Sequence, residues 1–251
     1  MKQLIAFDLD GTLAESKQPL LQVTGAALAA LLNIAEVAVI SGGDWPQFEK
    51  QVIARLPKSA NLARLWIMPT TGAKLYRFRE GKWRGIYAAL FDQMERTAII
   101  AAIKQAVAGT QLHEDKIWGE QIEDRGTQLT FSALGQQAPL DAKKAWDPDF
   151  AKRKALQAVL RKALPRLSVN VGGSTSIDIT QKGVDKGYGL KRLADHSGIP
   201  LAAMLFVGDA IYPGGNDYPA LQAGVATIAV RDVSETHVVI AAITTWVGMA
   251  G

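Results

Sequence analysis

The chain has 251 residues, of which 48% are hydrophobic, so it can bury a core as one large domain or two modest ones. It contains no cysteine, which excludes disulfides and thiolate metal sites. The formal net charge is +4, but the basic residues are spread widely without aromatic interleaving, which argues against nucleic acid as a partner.

The amino-terminal apolar run is short and is soon followed by two aspartates, Asp8 and Asp10. Such a run is too short and too soon charged for a signal peptide or a membrane span. We therefore expect a cytoplasmic protein with no membrane partner.

Both ends of the chain alternate short apolar runs with helical patterns. The predicted helices lie over residues 24–34, 186–196 and 217–224, and the apolar runs lie before Asp8, before Ser41, over 65–71, before Asp209 and over 226–230. This alternation is typical of βαβ units, and it predicts an α/β fold with one parallel sheet.

The middle of the chain has a different texture. Two helical stretches rich in lysine and alanine, at 97–108 and 150–164, are interspersed with segments of alternating polarity. This pattern predicts a small α+β domain inserted into the α/β domain. The predicted boundaries are 1–82 with 183–251 for the core and 83–182 for the insertion.

The first motif with chemical content is DLDGT, in which Asp8 and Asp10 follow the first strand. Open α/β sheets bind their ligands at the carboxyl ends of their strands. One carboxylate can attack phosphorus, while the other protonates the leaving oxygen and later activates water. The alternative is a pair of solvated aspartates that cap a helix.

The second motif is GDAIYPGGND, which follows another apolar strand. It carries three oxygen ligands, Asp209, Asn216 and Asp217. Together with a carboxylate from the first loop, these residues can hold Mg²⁺. A bare GGND sequence is also a common turn.

Two further elements complete the pattern. Ser41 ends a strand and is followed by Gly42, so a hydroxyl and backbone N–H groups can bind a phosphate oxygen there. Lys186 opens a predicted helix, and its ammonium group can neutralise a phosphate and orient Asp8.

These four elements, taken in their order along the chain, resemble the haloacid dehalogenase superfamily of aspartyl-phosphate enzymes. The resemblance implies a three-layer Rossmann-like core and a Mg²⁺ cofactor. It identifies Asp8 as nucleophile and metal ligand, Asp10 as general acid/base within the metal site, and Ser41 with Gly42 as the phosphate-binding pair. Lys186 resembles the charge-stabilising lysine. Asp209, Asn216 and Asp217 resemble the residues of the metal loop.

The long insertion resembles the α+β caps of the type IIB sugar-phosphatase branch, and several segments are similar to eukaryotic-type phosphomannomutases. Arg125 falls where those enzymes carry a cap arginine, whereas Gln136 and Lys143 replace two others. Asp178 is suited to a sugar hydroxyl. Lysine lacks the bidentate fork of arginine, and glutamine lacks its charge.

The sequence therefore predicts Mg²⁺-dependent hydrolysis of a sugar phosphate or a similar small metabolite through an aspartyl-phosphate intermediate. The close alternative is a phosphomannomutase that interconverts mannose 6-phosphate and mannose 1-phosphate. An outside alternative is a non-catalytic protein that binds a phosphorylated ligand. The predicted partner is a small phosphorylated metabolite, and a homodimer is compatible with this type of cap.

Overall fold

The computed structural model describes residues 2–110, 112, 114, 116–172 and 174–248. The chain divides into two compact units, the first formed by Met1–Ala88 with Asp185–Gly251 and the second by Ala89–Val184. Residues 83–88, which the sequence analysis assigned to the insertion, belong to a strand of the first unit's sheet. This strand is only partly buried, so its sequence lacks the apolar run that would have assigned it to the core sheet.

The described residues contain the strands β1 (Leu4–Phe7), β2 (Glu36–Ile40), β3 (Leu65–Met68), β4 (Lys74–Arg79), β5 (Lys82–Ala88), β6 (Ile122–Asp124), β7 (Gln128–Ser132), β8 (Leu167–Val171), β9 (Ser176–Gln181), β10 (Met204–Gly208) and β11 (Ala226–Ala229). They contain the helices α1 (Gln22–Leu32), α2 (Trp45–Gln51), α3 (Pro69–Gly72), α4 (Gln93–Gly109), α5 (Leu140–Trp146), α6 (Ala151–Ala163), α7 (Lys186–Ser197), α8 (Tyr218–Gln222) and α9 (Val233–Gly248). Among the described residues, no helix is long and apolar enough to span a bilayer.

The first unit is built on a seven-stranded sheet of order β11-β10-β1-β2-β3-β4-β5. The first five strands of this order are parallel, as predicted, and β4 and β5 extend the sheet as an antiparallel hairpin. The hairpin turn consists of Glu80 and Gly81, both with positive φ, which is the backbone that a two-residue turn requires.

The sheet is covered on both faces, which explains why its central strands are continuously apolar. Ile5 and Phe7 of β1 lie in an apolar cluster with residues of α1 and α9. Leu4 and Ala6 point the other way, into a cluster with residues of α7 and α8. The three-layer α/β core predicted from the sequence is therefore confirmed.

The second unit is a four-stranded antiparallel sheet of order β6-β7-β9-β8 with helices on one face. Its strands alternate in polarity, as those of a sheet with one apolar face do. Leu129 and Ile179 pack against α4 and α6 in the core of this unit, whereas Thr130 and Asp178 lie on the opposite face. The α+β character predicted for the insertion is confirmed.

The parallel register brings three loops of the first unit to one edge of the sheet. Phe7 of β1 pairs with Val39 of β2 on one side and with Val207 of β10 on the other. The segments that follow these strands begin with the predicted site residues, so their side chains meet at the carboxyl edge of the sheet.

Candidate active site

Asp8 is the first residue after β1 and is only 2% exposed. Its backbone N–H donates to the carbonyl oxygen of Val207 at 3.0 Å, which continues the pairing of β1 with β10. A buried carboxylate is costly unless it is paired and hydrogen-bonded. The neighbours of Asp8 therefore decide its charge.

Lys186 is the buried cation beside this carboxylate. Asp185 caps α7 by accepting a hydrogen bond from the Tyr188 N–H at 2.8 Å, which fixes Lys186 as the first helical residue. The Lys186 Nζ donates to Oδ1 of Asp8 and to Oδ1 of Asp217. One ammonium group thus joins the loops after β1 and β10 inside the protein.

The charges of this cluster are strongly coupled. Burial raises the pKa of Asp8 to about 7; Lys186 opposes this rise, and the Asp217 and Asp209 carboxylates add to it. Burial alone would lower the pKa of Lys186, but Asp8 and Asp217 outweigh it and hold that pKa above its ordinary value. Burial and Asp217 also raise the pKa of Asp209. The site therefore has more negative charge than one lysine neutralises.

The loop after β10 is held by hydrogen bonds to Asp217. Oδ2 of Asp217 accepts from the Ala210 N–H at 3.0 Å, and the Asp217 N–H donates to the Ala210 carbonyl oxygen at 3.3 Å. Asp209 is exposed and accepts from the Thr12 hydroxyl at 3.3 Å. Asn216 is also exposed and lies next to Asp217 along the chain.

Two glycines allow these loops to approach each other. Gly11 has φ +92°, and a Cβ on it would lie 2.5 Å from Oδ2 of Asp209. A Cβ on Gly208 would lie 2.3 Å from Oδ2 of Asp217. Any side chain at either position would push a carboxylate out of the cluster.

The donor set fits Mg²⁺. Among the described residues, Asp8, Asp209 and Asp217 each offer a carboxylate oxygen, and these oxygens lie within 4.8 Å of one another. Mg²⁺ prefers oxygen ligands and is commonly bound by one or two carboxylates together with water and substrate phosphate. The carboxylate of Asp10 is not part of this group, so its assignment to the metal site stays a prediction.

Mg²⁺ is expected to raise the unfolding temperature of the metal-free protein, and to raise it more at about pH 8 than at about pH 5. With its pKa at about 7, Asp8 binds a proton at the lower pH, and the ion must displace it. The stabilisation is about 2.7 kcal/mol when the free ion is at 100 times its Kd. Calorimetric unfolding scans with and without Mg²⁺ measure the increment.

The matched variants for this experiment are Asp209→Ala and Asp195→Ala, since Asp195 is an exposed aspartate on α7. The rise in unfolding temperature on adding Mg²⁺ should disappear in Asp209→Ala and persist in Asp195→Ala. An undiminished increment in Asp209→Ala would contradict this metal site.

Asp10 is partly exposed and makes hydrogen bonds of its own. Its Oδ1 accepts from the Lys17 N–H at 2.6 Å, and its Oδ2 accepts from Nε2 of Gln47 at 3.3 Å. Gln47 Nε2 also donates to Oε1 of Gln51 at 2.8 Å. These donors orient the carboxylate, and its partial exposure is compatible with exchanging protons with a bound substrate.

The loop after β2 carries Ser41, which is buried, and Gly42. The Ser41 N–H donates to the Met68 carbonyl oxygen at 3.3 Å. The Ser41 hydroxyl accepts from the Gly43 N–H at 3.5 Å. The loop is therefore anchored at the same edge of the sheet as Asp8 and Asp209.

The predicted cap residues lie in the second unit and make contacts within it. Arg125 pairs with Glu123 at 2.7 Å, and Asp178 accepts from the Thr130 hydroxyl at 2.7 Å. Lys143 donates to the Gln136 carbonyl oxygen at 3.0 Å. A cavity of about 300 Å³ is lined by Lys143, Lys144, Asp147, Pro148, Phe150, Arg153, Gly172 and Ser174. Their role in substrate binding stays a prediction.

Two further residues of the site, Thr12 and Gln47, were not predicted from the sequence. Thr12 had a signal, since it ends the DLDGT motif, and its hydroxyl now proves to contact Asp209. Gln47 had none, because an amide on a short helix acquires a partner in Asp10 only through the fold.

The chain matches the profile of the haloacid dehalogenase-like hydrolases over residues 5–246. It is 26% identical over 220 residues to a phosphomannomutase of Dendrobium officinale, an alignment that covers 86% of this chain and 83% of that protein. It is 27% identical over 221 residues to a phosphomannomutase of Arabidopsis thaliana, covering 84% of each.

Solved structures show the same fold at low sequence identity. A C-terminally truncated IMP-nucleotidase of Plasmodium falciparum has a TM-score of 0.74 and 16% identity, covering 97% of this chain and 71% of that one. A trehalose-6-phosphate phosphatase of Aspergillus fumigatus has a TM-score of 0.58 and 16% identity, covering 97% of this chain and 93% of that one.

Proposed function

Because the chain belongs to the haloacid dehalogenase-like hydrolase family, we propose that it hydrolyses a small phosphate monoester with Mg²⁺ as cofactor and Asp8 as nucleophile. The observation that carries the proposal is the buried Asp8 carboxylate, which contacts Lys186 and lies within 4.8 Å of two further carboxylates. A structural ion pair does not need this surplus of negative charge at the carboxyl edge of a sheet, whereas a Mg²⁺ site does.

In the first step an Asp8 oxygen attacks phosphorus as the bond from phosphorus to the leaving oxygen breaks. The leaving oxygen takes a proton from Asp10, so the alcohol departs neutral. In the second step water attacks the phosphorus of the aspartyl phosphate and gives a proton to Asp10. Phosphate is released, and the Asp8 carboxylate is regenerated.

Charge compensation is the main task of the other residues, because phosphoryl transfer depends on positioning and electrostatic stabilisation. Lys186 holds Asp8 in place and supplies a fixed positive charge. Ser41 and the backbone N–H of Gly42 are assigned to the phosphate oxygens. Asp8, Asp209 and Asp217, with Asn216 beside Asp217 in the chain, would hold Mg²⁺, which would neutralise charge on the phosphate.

The insertion is assigned to substrate specificity, and its charges favour a phosphatase. A mutase must hold a second phosphate while the sugar turns around. Here Arg125 is paired with Glu123, Gln136 carries no charge, and Lys143 cannot make a bidentate contact. Asp178 and Thr130 form a polar pair that is suited to sugar hydroxyls. We therefore assign a sugar phosphate or a similar small metabolite as the substrate.

The second candidate is the phosphomannomutase reaction, which the named relatives favour. In that case a reoriented sugar hydroxyl replaces the attacking water. A binding protein without catalysis is the third candidate, and the pairing of a buried nucleophile with a partly exposed acid argues against it. The proposed enzyme acts in the cytoplasm on a soluble metabolite.

Incubation with Mg²⁺ and mannose 1-phosphate, with and without glucose 1,6-bisphosphate, separates these candidates. We expect free phosphate as the main product, with no need for the bisphosphate. Mannose 6-phosphate formed only with the bisphosphate would contradict hydrolysis and establish a mutase. If mannose 1-phosphate is not a substrate, a panel of phosphorylated metabolites measured by phosphate release extends the same test. No release from any of them would contradict the proposed function.

A further inference from the structure

The segment Pro69–Gly72, labelled α3 above, is a tight turn rather than a regular right-handed helix, because two consecutive threonines in it lie in the left-handed backbone region. Thr70 has φ 50° and ψ 49°, and Thr71 has φ 59° and ψ 31°. Left-handed backbone is unfavourable for residues with a branched Cβ, because the branched carbon approaches the backbone. Glycine or asparagine would adopt this turn at lower cost. Two such threonines in succession therefore require an explanation.

The strained turn is held by hydrogen bonds to the phosphate loop and to a tyrosine. The Thr70 N–H donates to the Gly43 carbonyl oxygen at 2.8 Å, and the Thr71 N–H donates to the Ser41 carbonyl oxygen at 2.8 Å. The Tyr87 hydroxyl donates to the Gly72 carbonyl oxygen at 2.5 Å. Strain persists where the surroundings determine a conformation from several sides, and such positions cluster at functional sites.

Close packing against α7 adds a further constraint. A Cβ on Gly72 would lie 2.6 Å from Cα of Gly189, so the turn and the helix are in backbone contact. The same helix begins with Lys186. The turn therefore lies between the loop that carries Ser41 and the helix that carries Lys186.

The two threonine side chains have different surroundings. Thr70 is fully buried, whereas Thr71 is partly exposed. Oγ1 of Thr71 lies 3.8 Å from the position that a Cβ on Gly42 would take. The Thr71 hydroxyl therefore lies beside the backbone of the residue assigned to phosphate binding.

We propose that the Thr71 hydroxyl is a further phosphate-binding group, which donates a hydrogen bond to an oxygen of the transferring phosphate beside Ser41 and Gly42. This inference rests on the proposed function. It explains why the left-handed turn keeps a hydroxyl-bearing residue: glycine would relax the backbone but remove the donor. The ligand is a phosphate monoester dianion or free phosphate, bound together with Mg²⁺.

Three variants of Thr71 distinguish the effect of losing the hydroxyl group from the effect of relaxing the backbone. Thr71→Val keeps the shape of the side chain and removes the donor, Thr71→Ser keeps the donor, and Thr71→Gly relaxes the turn and removes the donor. Hydrogen bonds to charged groups predict that the valine and glycine variants bind phosphate about 10- to 100-fold more weakly. The serine variant should bind phosphate with nearly the same affinity as the unaltered protein.

Inorganic phosphate in the presence of Mg²⁺ is the probe, and its Kd is measured by calorimetry beside kcat/KM for a reference phosphate ester. Unfolding temperatures are measured for all variants, and Thr71→Gly should unfold at a higher temperature than the unaltered protein. Glu80→Gly is the matched control, because Glu80 also has a positive φ of 52° but lies in the β4–β5 turn. It should gain stability without any change in phosphate binding.

Unchanged phosphate binding in Thr71→Val would overturn the inference. If Thr71→Val does not fold, Thr71→Gly replaces it, since a relaxed turn should allow this variant to fold. Unchanged phosphate binding in Thr71→Gly would then overturn the inference. Failure of the proposed function would look different, because the unaltered protein would then neither bind phosphate with Mg²⁺ nor release it from any ester.

Discussion

Asp8→Asn is expected to lower kcat by about 10⁴-fold or more, since it removes the group that forms the covalent bond to phosphorus. The amide has nearly the shape of the carboxylate, so it fits the buried space after β1 and still accepts a hydrogen bond from Lys186. Burial with two further carboxylates already raises the pKa of Asp8, and a neutral group relieves that repulsion. The free energy of unfolding should therefore change little. Phosphate release and thermal unfolding of the same preparation measure both effects.

Asp195→Asn is the matched control, because Asp195 is exposed on α7 and should tolerate the same chemical change without loss of activity. If Asp8→Asn is folded and retains most of its activity, Asp8 is not the nucleophile. A variant that is inactive only because it is unfolded would be recognised from its unfolding scan.

Lys186→Met is expected to impair both activity and stability. Removing one partner of a buried ion pair costs about 3–5 kcal/mol, and here the lost cation leaves Asp8 and Asp217 without their shared donor. Loss of a preorganised positive donor should also lower kcat by about 10²- to 10³-fold. Chemical denaturation and phosphate release measure these two quantities.

The stability of Lys186→Met should fall as the pH rises. The pKa of Asp8 is about 7 even with Lys186 present, against 3.8 for an ordinary aspartate, and losing the cation raises it further. The folded variant therefore binds more protons than the unfolded chain above about pH 4, and deprotonation destabilises it. Lys191→Met, on the exposed part of the same helix, is the control and should show neither loss. Equal stability of the two variants at about pH 8 would contradict the role assigned to Lys186.

The central fold was predictable because its sequence signals are local and repeated. The apolar residues before Asp8, Ser41 and Asp209 form buried parallel strands, and the polar residue after each strand marks the carboxyl edge. The hairpin of β4 and β5 was less predictable. Its strands are partly exposed, so their pattern does not show that they extend the sheet rather than begin the insertion.

Part of the candidate site was also predictable from the sequence. Asp8 and Asp209 could be placed together because parallel strands bring their carboxyl ends to one edge of the sheet. Lys186 begins a helix and was assigned beside Asp8 by the family resemblance, and the structure brings it into contact with Asp8 and Asp217. The contact of Gln47 with Asp10 and the left-handed turn at Thr71 depend on the packing of segments distant in sequence. No composition or period in the sequence indicates them.

The role of Asp8 as nucleophile is tested by quenching the protein during turnover of a phosphate ester with Mg²⁺ and locating the added phosphoryl group by mass spectrometry of its peptides. Asp10→Asn serves as a second sample with an aryl phosphate, whose leaving group needs little protonation, so that slower activation of water should preserve the intermediate while the overall rate is about 10²- to 10⁴-fold lower. We expect one phosphoryl group on Asp8, absent when Mg²⁺ is omitted. A phosphoryl group on another residue, or turnover without any phosphorylated protein, would contradict this role of Asp8.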